Sequence, residues 1–292
     1  MTTLVLGTPC ADATRAFYTD FGLTEAEPGR FHTAHGGEQL RLETHDVPTI
    51  LSIGFGVETA ADLDDIAARL RSFGAAPERV GDTVSVVEPL SAITFRFEVA
   101  PPLAPERAQP IAVADRTTLV ARADVRPLRL GHIVLGCPDV SGFASFCVDG
   151  FGLHVSDHVG TGIFMRVAHD HHNLCVVKGE RTFLHHTAWK VRNVDEVGYG
   201  AANMIRADAA RHAWGLGRHA ASANYFWYLR DPNGSFAEYY YSELDELVND
   251  LHFWDRPVDA PVLPPMAWGP PPPPDFSTPP ASRLETALHA AS

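Results

Sequence analysis

Residues 135–153 read LGCPDVSGFASFCVDGFGL and match an earlier stretch, residues 6–23, which reads LGTPCADATRAFYTDFGL. Each stretch predicts a short strand, a turn, a helix that begins near Asp139 or Asp12, and a glycine that ends the helix. A repeat of this kind indicates that the chain is built from copies of one structural unit.

A second pair of segments repeats in the same order. Residues 49–74 and residues 183–210 each predict an alternating strand followed by an amphipathic helix. Apolar side chains recur at helical spacing in both helices, at Leu63, Ile66 and Leu70 and at Val194, Val197, Ala201 and Ile205. Asn193 and Glu196 have the spacing of a capping box at the start of the second helix. The sequence therefore predicts an α+β protein of four units, arranged as two pairs.

A proline-rich stretch separates the two pairs of units. It reads PPLAPERAQP and covers residues 101–110. We therefore predict an N-terminal domain over residues 1–120 and a C-terminal domain over residues 121–254. A tail over residues 255–292 follows the second domain.

The tail has a composition of its own, with eleven prolines before Ala281. Such a segment favours extended polyproline conformation and forms neither a helix nor an inner strand. Two interpretations remain open at this point. The tail either wraps the protein surface or forms a partial lid over a functional site, carried by Trp268 and Phe276.

Composition excludes several classes of function. The formal net charge of the 292-residue chain is −13, which disfavours nucleic acid as a partner. No apolar run approaches the roughly 20 residues of a membrane-spanning helix, and the N-terminus lacks the pattern of a signal peptide. We expect a soluble cytoplasmic protein without membrane contacts. The four cysteines form no CxxC pair and are expected to be reduced, mostly buried thiols.

Three potential metal ligands lie in strand-like segments of the second half. They are His132 in LGHIVL, His186 in FLHHTAW and Glu238 in DPNGSFAEYYY, spaced 54 and 52 residues apart. Two imidazoles and one carboxylate form the ligand set of mononuclear non-haem Fe(II) oxygenases, although a catalytic zinc can use the same groups. Side chains alternate along a strand, so His185 is expected to face away from His186 and only one of them to bind metal.

Residues 217–240, which read GRHAASANYFWYLRDPNGSFAEYY, carry a family motif. They resemble the signature of the type I extradiol ring-cleaving dioxygenases, which are catechol 2,3-dioxygenase-like members of the vicinal oxygen chelate superfamily. The matching positions are Gly217, His219, Tyr228, Asp231, Pro232, Gly234 and Glu238. Trp227 departs from the pattern, where an aliphatic residue or phenylalanine is usual, and affects packing only. The resemblance is strong over residues 129–245 and weaker, as a diverged repeat, over the first 120 residues.

The resemblance implies both the fold and the site. It implies four βαβββ modules in two domains, with each pair of modules enclosing a cavity. It implies one metal per chain, Fe(II) with Mn(II) as the alternative, on His132, His186 and Glu238. It also implies an acid/base role for His172 in HHNLCVV, roles at the substrate oxygen for Tyr228 and His219, and a place in the ring pocket for Phe164.

The implied reaction is extradiol, or meta, cleavage of a catechol in the catabolism of aromatic compounds. Both atoms of dioxygen enter the ring and the product is a ring-opened semialdehyde. The partners are thus a catechol and dioxygen, and relatives are commonly homo-oligomers. The repeat places Thr3 opposite His132, an apolar residue near Ile53 opposite His186, and the stretch around Phe95 to Phe97 opposite Glu238, so no metal is expected in the N-terminal domain. The resemblance thus implies a non-catalytic N-terminal domain beside a catalytic C-terminal domain.

Two other functions are compatible with such a repeated fold. A glyoxalase-like metal-dependent lyase or isomerase uses more carboxylate ligands and does not need His172, His219 and Tyr228. A non-catalytic protein that binds small aromatic molecules lacks the ligand trio. The sequence does not identify the substrate, which could be catechol itself, an alkylcatechol, a carboxylated catechol or a bicyclic diol.

Overall fold

The computed structural model describes residues 1–100, 124–257 and 263–283. In the first of these ranges the chain forms one eight-stranded sheet and two helices. The strands are β1 (Leu4–Thr8), β2 (Thr24–Glu27), β3 (Arg30–His32), β4 (Glu38–Thr44), β5 (Thr49–Val57), β6 (Glu78–Val80), β7 (Thr83–Val87) and β8 (Thr94–Val99). The helices are α1 (Ala11–Asp20) and α2 (Ala60–Phe73).

The remaining described residues form a second sheet of nine strands. Its strands are β9 (Arg129–Cys137), β10 (His154–Val159), β11 (Gly162–Arg166), β12 (Leu174–Lys178), β13 (Phe183–Lys190), β14 (His212–His219), β15 (Tyr225–Arg230), β16 (Phe236–Tyr241) and β17 (Met266–Trp268). The helices are α3 (Val140–Ser145), continued by a π-helical turn (Phe146–Gly150), α4 (Val194–Ala207) and α5 (Leu244–Leu247), with a 3-10 turn (Ala209–Arg211).

Both sheets have the same topology. The first has the order β2-β3-β4-β1-β5-β8-β7-β6 and the second β10-β11-β12-β9-β13-β16-β15-β14-β17. Within each module the first and last strands are parallel, as in β1 with β4 and β13 with β16, and the two modules of a sheet meet through an antiparallel pair. The prediction of an α+β fold of four βαβββ modules in two pairs is confirmed.

The predicted boundary between the domains, near residue 120, lies outside the described residues. The two sheets themselves fall on either side of it, with the first ending at Val99 and the second beginning at Arg129. The tail adds β17 to the edge of the second sheet, where it pairs with β14. The exact domain limits thus stay a prediction, and part of the tail belongs structurally to the second sheet.

The predicted helices form where the apolar spacing placed them. Leu63 and Leu70 are fully buried along α2, and Val197 and Ala201 are fully buried along α4. The predicted cap of α4 is present, since the Asn193 side chain accepts a hydrogen bond from the Glu196 backbone N–H at 2.9 Å. In a capping box the Glu196 carboxylate would accept from the backbone N–H of Asn193. It accepts instead from the backbone N–H of Arg192, one residue earlier.

Aromatic packing joins the two sheets and fixes the orientation of β16. The rings of Phe21, after α1, and Tyr239, in β16, are parallel with centroids 3.8 Å apart. The Tyr239 hydroxyl also donates to the Phe21 carbonyl oxygen at 2.7 Å. Because side chains alternate along a strand, the burial of Tyr239 against the N-terminal half turns the neighbouring Glu238 to the opposite face of the second sheet.

The cysteine prediction agrees with the structure. All four cysteines are free thiols, Cys137, Cys147 and Cys175 being buried and Cys10 half-buried. Burial raises the pKa of the Cys175 thiol above its ordinary range, which keeps it neutral. Over the described ranges, no helix has the length and apolar character that crossing a membrane would need.

Candidate metal centre

The three predicted ligands lie on three adjacent strands at the centre of the second sheet. His132 is in β9, His186 in β13 and Glu238 in β16. Ala188 of the middle strand pairs with His132 on one side and with Glu238 on the other. His186 lies two residues before Ala188 and therefore projects from the same face. The strand register thus brings together groups that are far apart in the sequence.

The geometry of the trio fits one bound cation. Nε2 of His132 and Nε2 of His186 lie 3.2 and 3.3 Å from Glu238 Oε2. Donor atoms that share one metal at about 2.1 Å in right-angled positions are separated by about 3 Å. Glu238 is fully buried, and both Glu238 Oε2 and His186 Nε2 have no hydrogen-bond partner among the described residues. Two such atoms repel each other unless a cation lies between them.

The charges of the trio suit a divalent metal. Burial lowers the pKa of His186 to about 4, so its imidazole is neutral near pH 7. Burial alone would raise the pKa of the Glu238 carboxyl, but the two flanking imidazoles outweigh burial and lower the pKa well below its usual range. The neutral imidazole of His186 and the carboxylate of Glu238 are therefore available as ligands, and Asn224 donates to the second carboxylate oxygen of Glu238 at 3.3 Å.

The orientation predicted for His185 is wrong. The pairing of β13 with β9 shifts its register between Leu184 and His186, so a β-bulge interrupts the alternation at His185. Both histidines consequently line the same cavity. Their Nδ1 atoms lie 2.7 Å apart in a hydrogen bond, and His185 Nε2 lies 2.8 Å from the carbonyl oxygen of Phe276.

His172, the predicted acid/base residue, lies beside the trio. Its ring centroid is 4.0 Å from that of His132, and the side chain lines the cavity. Behind it, His171 Nδ1 is 3.0 Å from His172 Nδ1, and His171 Nε2 is 3.1 Å from the Asp157 carboxylate. Because a carboxylate only accepts, His171 donates from Nε2 and accepts at Nδ1. His172 then carries its proton on Nδ1, which leaves Nε2 unprotonated.

His219 and Tyr228 form a hydrogen-bonded pair on the other side of the trio. His219 Nε2 lies 3.1 Å from the Tyr228 hydroxyl, and His219 Nδ1 lies 3.2 Å from the carbonyl oxygen of Pro265. His219 therefore braces Tyr228. Gly217 allows this packing, since a Cβ atom there would lie 2.5 Å from Phe226 Cζ, and Phe226 stacks on the His219 ring.

The trio opens into a cavity of about 360 Å³ with mostly apolar walls. Phe164 lines it and packs edge-on against His172, and its role in a substrate pocket stays a prediction of the resemblance. Phe276 of the tail also lines the cavity, whereas Trp268 does not and packs on Tyr225 while 47% exposed. Of the two residues expected to carry a lid, Phe276 thus lies at the cavity and Trp268 does not, and a lid role of the tail stays a prediction.

Several residues of the site were not predicted. They are Asn224, His171, Asp157 and His185 in its acceptor role. Each was identified from a side-chain contact in the folded protein. The two His-His doublets were the available signal, since each places a second imidazole next to a functional one. Thr3 lies at the position of His132 in the aligned repeat. The register of the first sheet places Ser52, and not Ile53, at the position of His186, because Ser52 pairs with Val5 as His186 pairs with Val134. The described residues hold one group of possible metal ligands, the trio itself.

Comparison with known proteins supports the family resemblance. Residues 129–239 match the model of the glyoxalase/bleomycin resistance protein/dioxygenase superfamily, which confirms the resemblance for this part of the chain. Metapyrocatechase 2 of Cupriavidus necator is 43% identical over 118 residues, which are 39% of this chain and 37% of that protein. The chain thus matches little more than a third of the length of this curated relative.

Solved structures of similar fold extend over the N-terminal half as well. A halotolerant catechol dioxygenase, BphC, has a TM-score of 0.77 and 18% identity over 96% of both chains. Homoprotocatechuate 2,3-dioxygenase from Arthrobacter globiformis has a TM-score of 0.66 and 20% identity over 82% of this chain and 78% of that one. A Mn(II)-bound glyoxalase from Novosphingobium aromaticivorans has a TM-score of 0.65 and 24% identity over 82% and 80%. At these identities the likeness establishes the fold.

Proposed function

We propose that this protein is a metal-dependent extradiol dioxygenase that cleaves a catechol with both atoms of dioxygen and releases a ring-opened semialdehyde. The observation that carries the proposal is the buried trio His132, His186 and Glu238, which opens into an apolar cavity beside His172, His219 and Tyr228. The match of 118 residues to a metapyrocatechase supports this reaction over the other chemistries of the fold.

The ligand set has a chemical consequence for the reaction. A redox-active divalent metal held there, Fe(II) in our proposal with Mn(II) as the alternative, would hold a catecholate beside dioxygen and transfer electron density between them. The side chains on either side then bind and orient the diol. The cavity walls exclude water from the ring, because apolar groups form most of its surface.

His172 is positioned to move protons. Its Nδ1 is engaged by His171, so its unprotonated Nε2 is free to accept the proton of a catechol hydroxyl and later to return a proton. Burial lowers the pKa of His172 well below its ordinary value, as do the neighbouring imidazoles, so the resting side chain is a neutral base. Tyr228 donates to His219 and can accept a hydrogen bond from the substrate.

The cavity also indicates the class of substrate. Apart from the histidines, Lys178 is the one side chain among the described lining residues that ordinarily carries a charge at neutral pH. Lys178 is exposed at the rim, where its ammonium donates to the Pro138 carbonyl oxygen at 2.5 Å. No arginine in the described lining could pair with a buried carboxylate. We therefore propose catechols without charged substituents, either catechol itself or a small alkylcatechol.

The first experiment tests the reaction itself. Purified protein loaded anaerobically with Fe(II) and then mixed with catechol in air should form a yellow semialdehyde and consume one dioxygen per ring cleaved. Absorbance and an oxygen electrode measure both quantities in the same sample. A colourless product from cleavage between the two hydroxyls would contradict the proposed chemistry, as would the absence of oxygen uptake with every diol tested. The matched control is the same protein treated with a chelator.

The second experiment tests the substrate class. The kcat/KM for methylcatechol should exceed that for protocatechuate by at least about 100-fold, because burial of an unpaired carboxylate costs several kcal/mol. Lys178→Met is the matched variant and should leave this ratio unchanged, since its ammonium lies at the rim. Equal kcat/KM values for the two substrates would overturn the substrate class while leaving the ring-cleavage proposal intact.

Two further features are proposed on the family resemblance. We infer that the protein acts in the cytoplasm, in the catabolism of aromatic compounds, and that it forms a homo-oligomer. The acidic net charge of −13 is consistent with a small neutral substrate and with the absence of a nucleic-acid partner.

A further inference from the structure

The proline-rich tail presents backbone carbonyl groups to the ring nitrogens of the site. Three of its carbonyl oxygens, those of Pro265, Pro270 and Phe276, accept hydrogen bonds from His219 Nδ1, Trp214 Nε1 and His185 Nε2. The three distances are 3.2, 2.8 and 2.8 Å. Proline has no backbone N–H and polyproline conformation has no internal hydrogen bonds, so carbonyl oxygens of such a segment are free to accept from other groups.

At His185 this contact determines where the proton resides. A carbonyl oxygen can only accept, so His185 carries its proton on Nε2. With that proton on Nε2, the Nδ1 of the neutral ring keeps its lone pair and is an acceptor. The hydrogen bond of 2.7 Å to His186 Nδ1 then requires the proton of His186 to lie on Nδ1. Nε2 of His186, the atom that faces Glu238, is left with its lone pair.

At His219 the same reasoning applies. The Pro265 carbonyl oxygen holds the proton on Nδ1, so Nε2 accepts from the Tyr228 hydroxyl. Tyr228 is thereby oriented with its oxygen lone pairs toward the cavity. Two of the histidines on the cavity wall thus have their tautomers set by the tail.

We propose that the tail segment over residues 263–283 acts as a template of backbone acceptors, which sets the tautomers of His185 and His219 and, through His185, prepares His186 to bind metal. His185 is a positioning residue in this scheme, since it acts through His186. The proposal rests on the metal role of His186 in the proposed function, but it does not depend on which reaction follows.

The tail is anchored firmly enough to hold these carbonyl groups in place. Arg230 forms two hydrogen bonds with the Asp275 carboxylate, at 2.7 and 3.1 Å. Arg283 donates to the carbonyl oxygens of Gly234, Asp275 and Phe276 and stacks on the Phe236 ring. These contacts fix the chain on both sides of Phe276, whose own ring packs against Tyr228 and His185.

The direct test is a measurement of the tautomers. Long-range proton–nitrogen correlation spectra of the metal-free protein with ¹⁵N-labelled histidine distinguish Nδ1–H from Nε2–H rings. We expect Nε2–H for His185 and Nδ1–H for His186 and His219. The signals are assigned with variants in which one histidine at a time is replaced. A proton on Nδ1 of His185, or on Nε2 of His219, would overturn the proposal. The spectra are independent of ring cleavage, so this outcome is distinct from failure of the proposed function.

Metal affinity provides the second readout. Anaerobic Fe(II) titration against a competing chelator should show about 10–100-fold weaker binding for His185→Leu, the range typical of lost partners of metal-bound histidines. His185→Asn, which keeps an acceptor near the position of Nδ1, should recover most of this affinity. The exposed His158→Leu is the matched control. Unchanged affinity in His185→Leu would contradict the proposal, and so would equal losses in the leucine and asparagine variants.

Discussion

His186→Ala is expected to lose Fe(II) binding and all measurable ring cleavage. The substitution removes one of three ligands from a site in which the carboxylate of Glu238 is fully buried and faces both imidazoles. Loss of a group that hydrogen-bonds a metal ligand typically weakens metal binding by about 10–100-fold. Loss of the ligand itself should therefore weaken Fe(II) binding by more than that. Anaerobic Fe(II) titration and an oxygen electrode with catechol measure the two effects.

The control for this variant is a histidine of the same sheet that lies outside the site. His158 in β10 is exposed, and His158→Ala should retain both metal binding and turnover. Circular dichroism of the metal-free proteins separates loss of a ligand from loss of the fold. A folded His186→Ala protein that still bound Fe(II) tightly and cleaved catechol would exclude His186 as a ligand.

Much of this site could be predicted because strands with repeated patterns impose their own geometry. The LGHIVL and FLHHTAW segments each begin one copy of a module that occurs four times, so the positions that meet could be inferred from the repeat. The DPNG turn likewise predicted the reversal before Glu238, and Asp231 accepts from the backbone N–H groups of Asn233 and Ser235 there.

The errors have physical causes that alternation does not capture. The bulge at His185 adds one residue to a strand, which depends on the partner strand and not on the local pattern. The tail contacts depend on backbone carbonyl groups, whose partners are set by tertiary packing and are invisible in side-chain composition. The pairing of His171 with Asp157 joins the loop between β11 and β12 to β10 of the same module, and no local spacing marks it.

His172→Asn is expected to retain Fe(II) and to slow turnover by about 10²–10⁴-fold, the usual contribution of an acid/base residue. Asparagine can keep a polar contact with His171 but cannot exchange a proton near neutral pH. His172 is not one of the three residues whose ligand atoms converge, so the variant should still bind the metal. Steady-state kinetics with catechol should show the loss mainly in kcat, with Fe(II) affinity measured separately.

The matched control is His169→Asn, because His169 is an exposed histidine only three residues away in the same loop. Its side chain is outside the cavity lining, so turnover should be unchanged. If His172→Asn turned over like the parent, the proton would have to move through another group, and Tyr228 with its brace His219 would be the remaining candidate on the cavity wall. If the variant instead lost Fe(II), His172 would be needed to hold the metal. Its assignment as an acid/base residue that does not take part in metal binding would then be wrong.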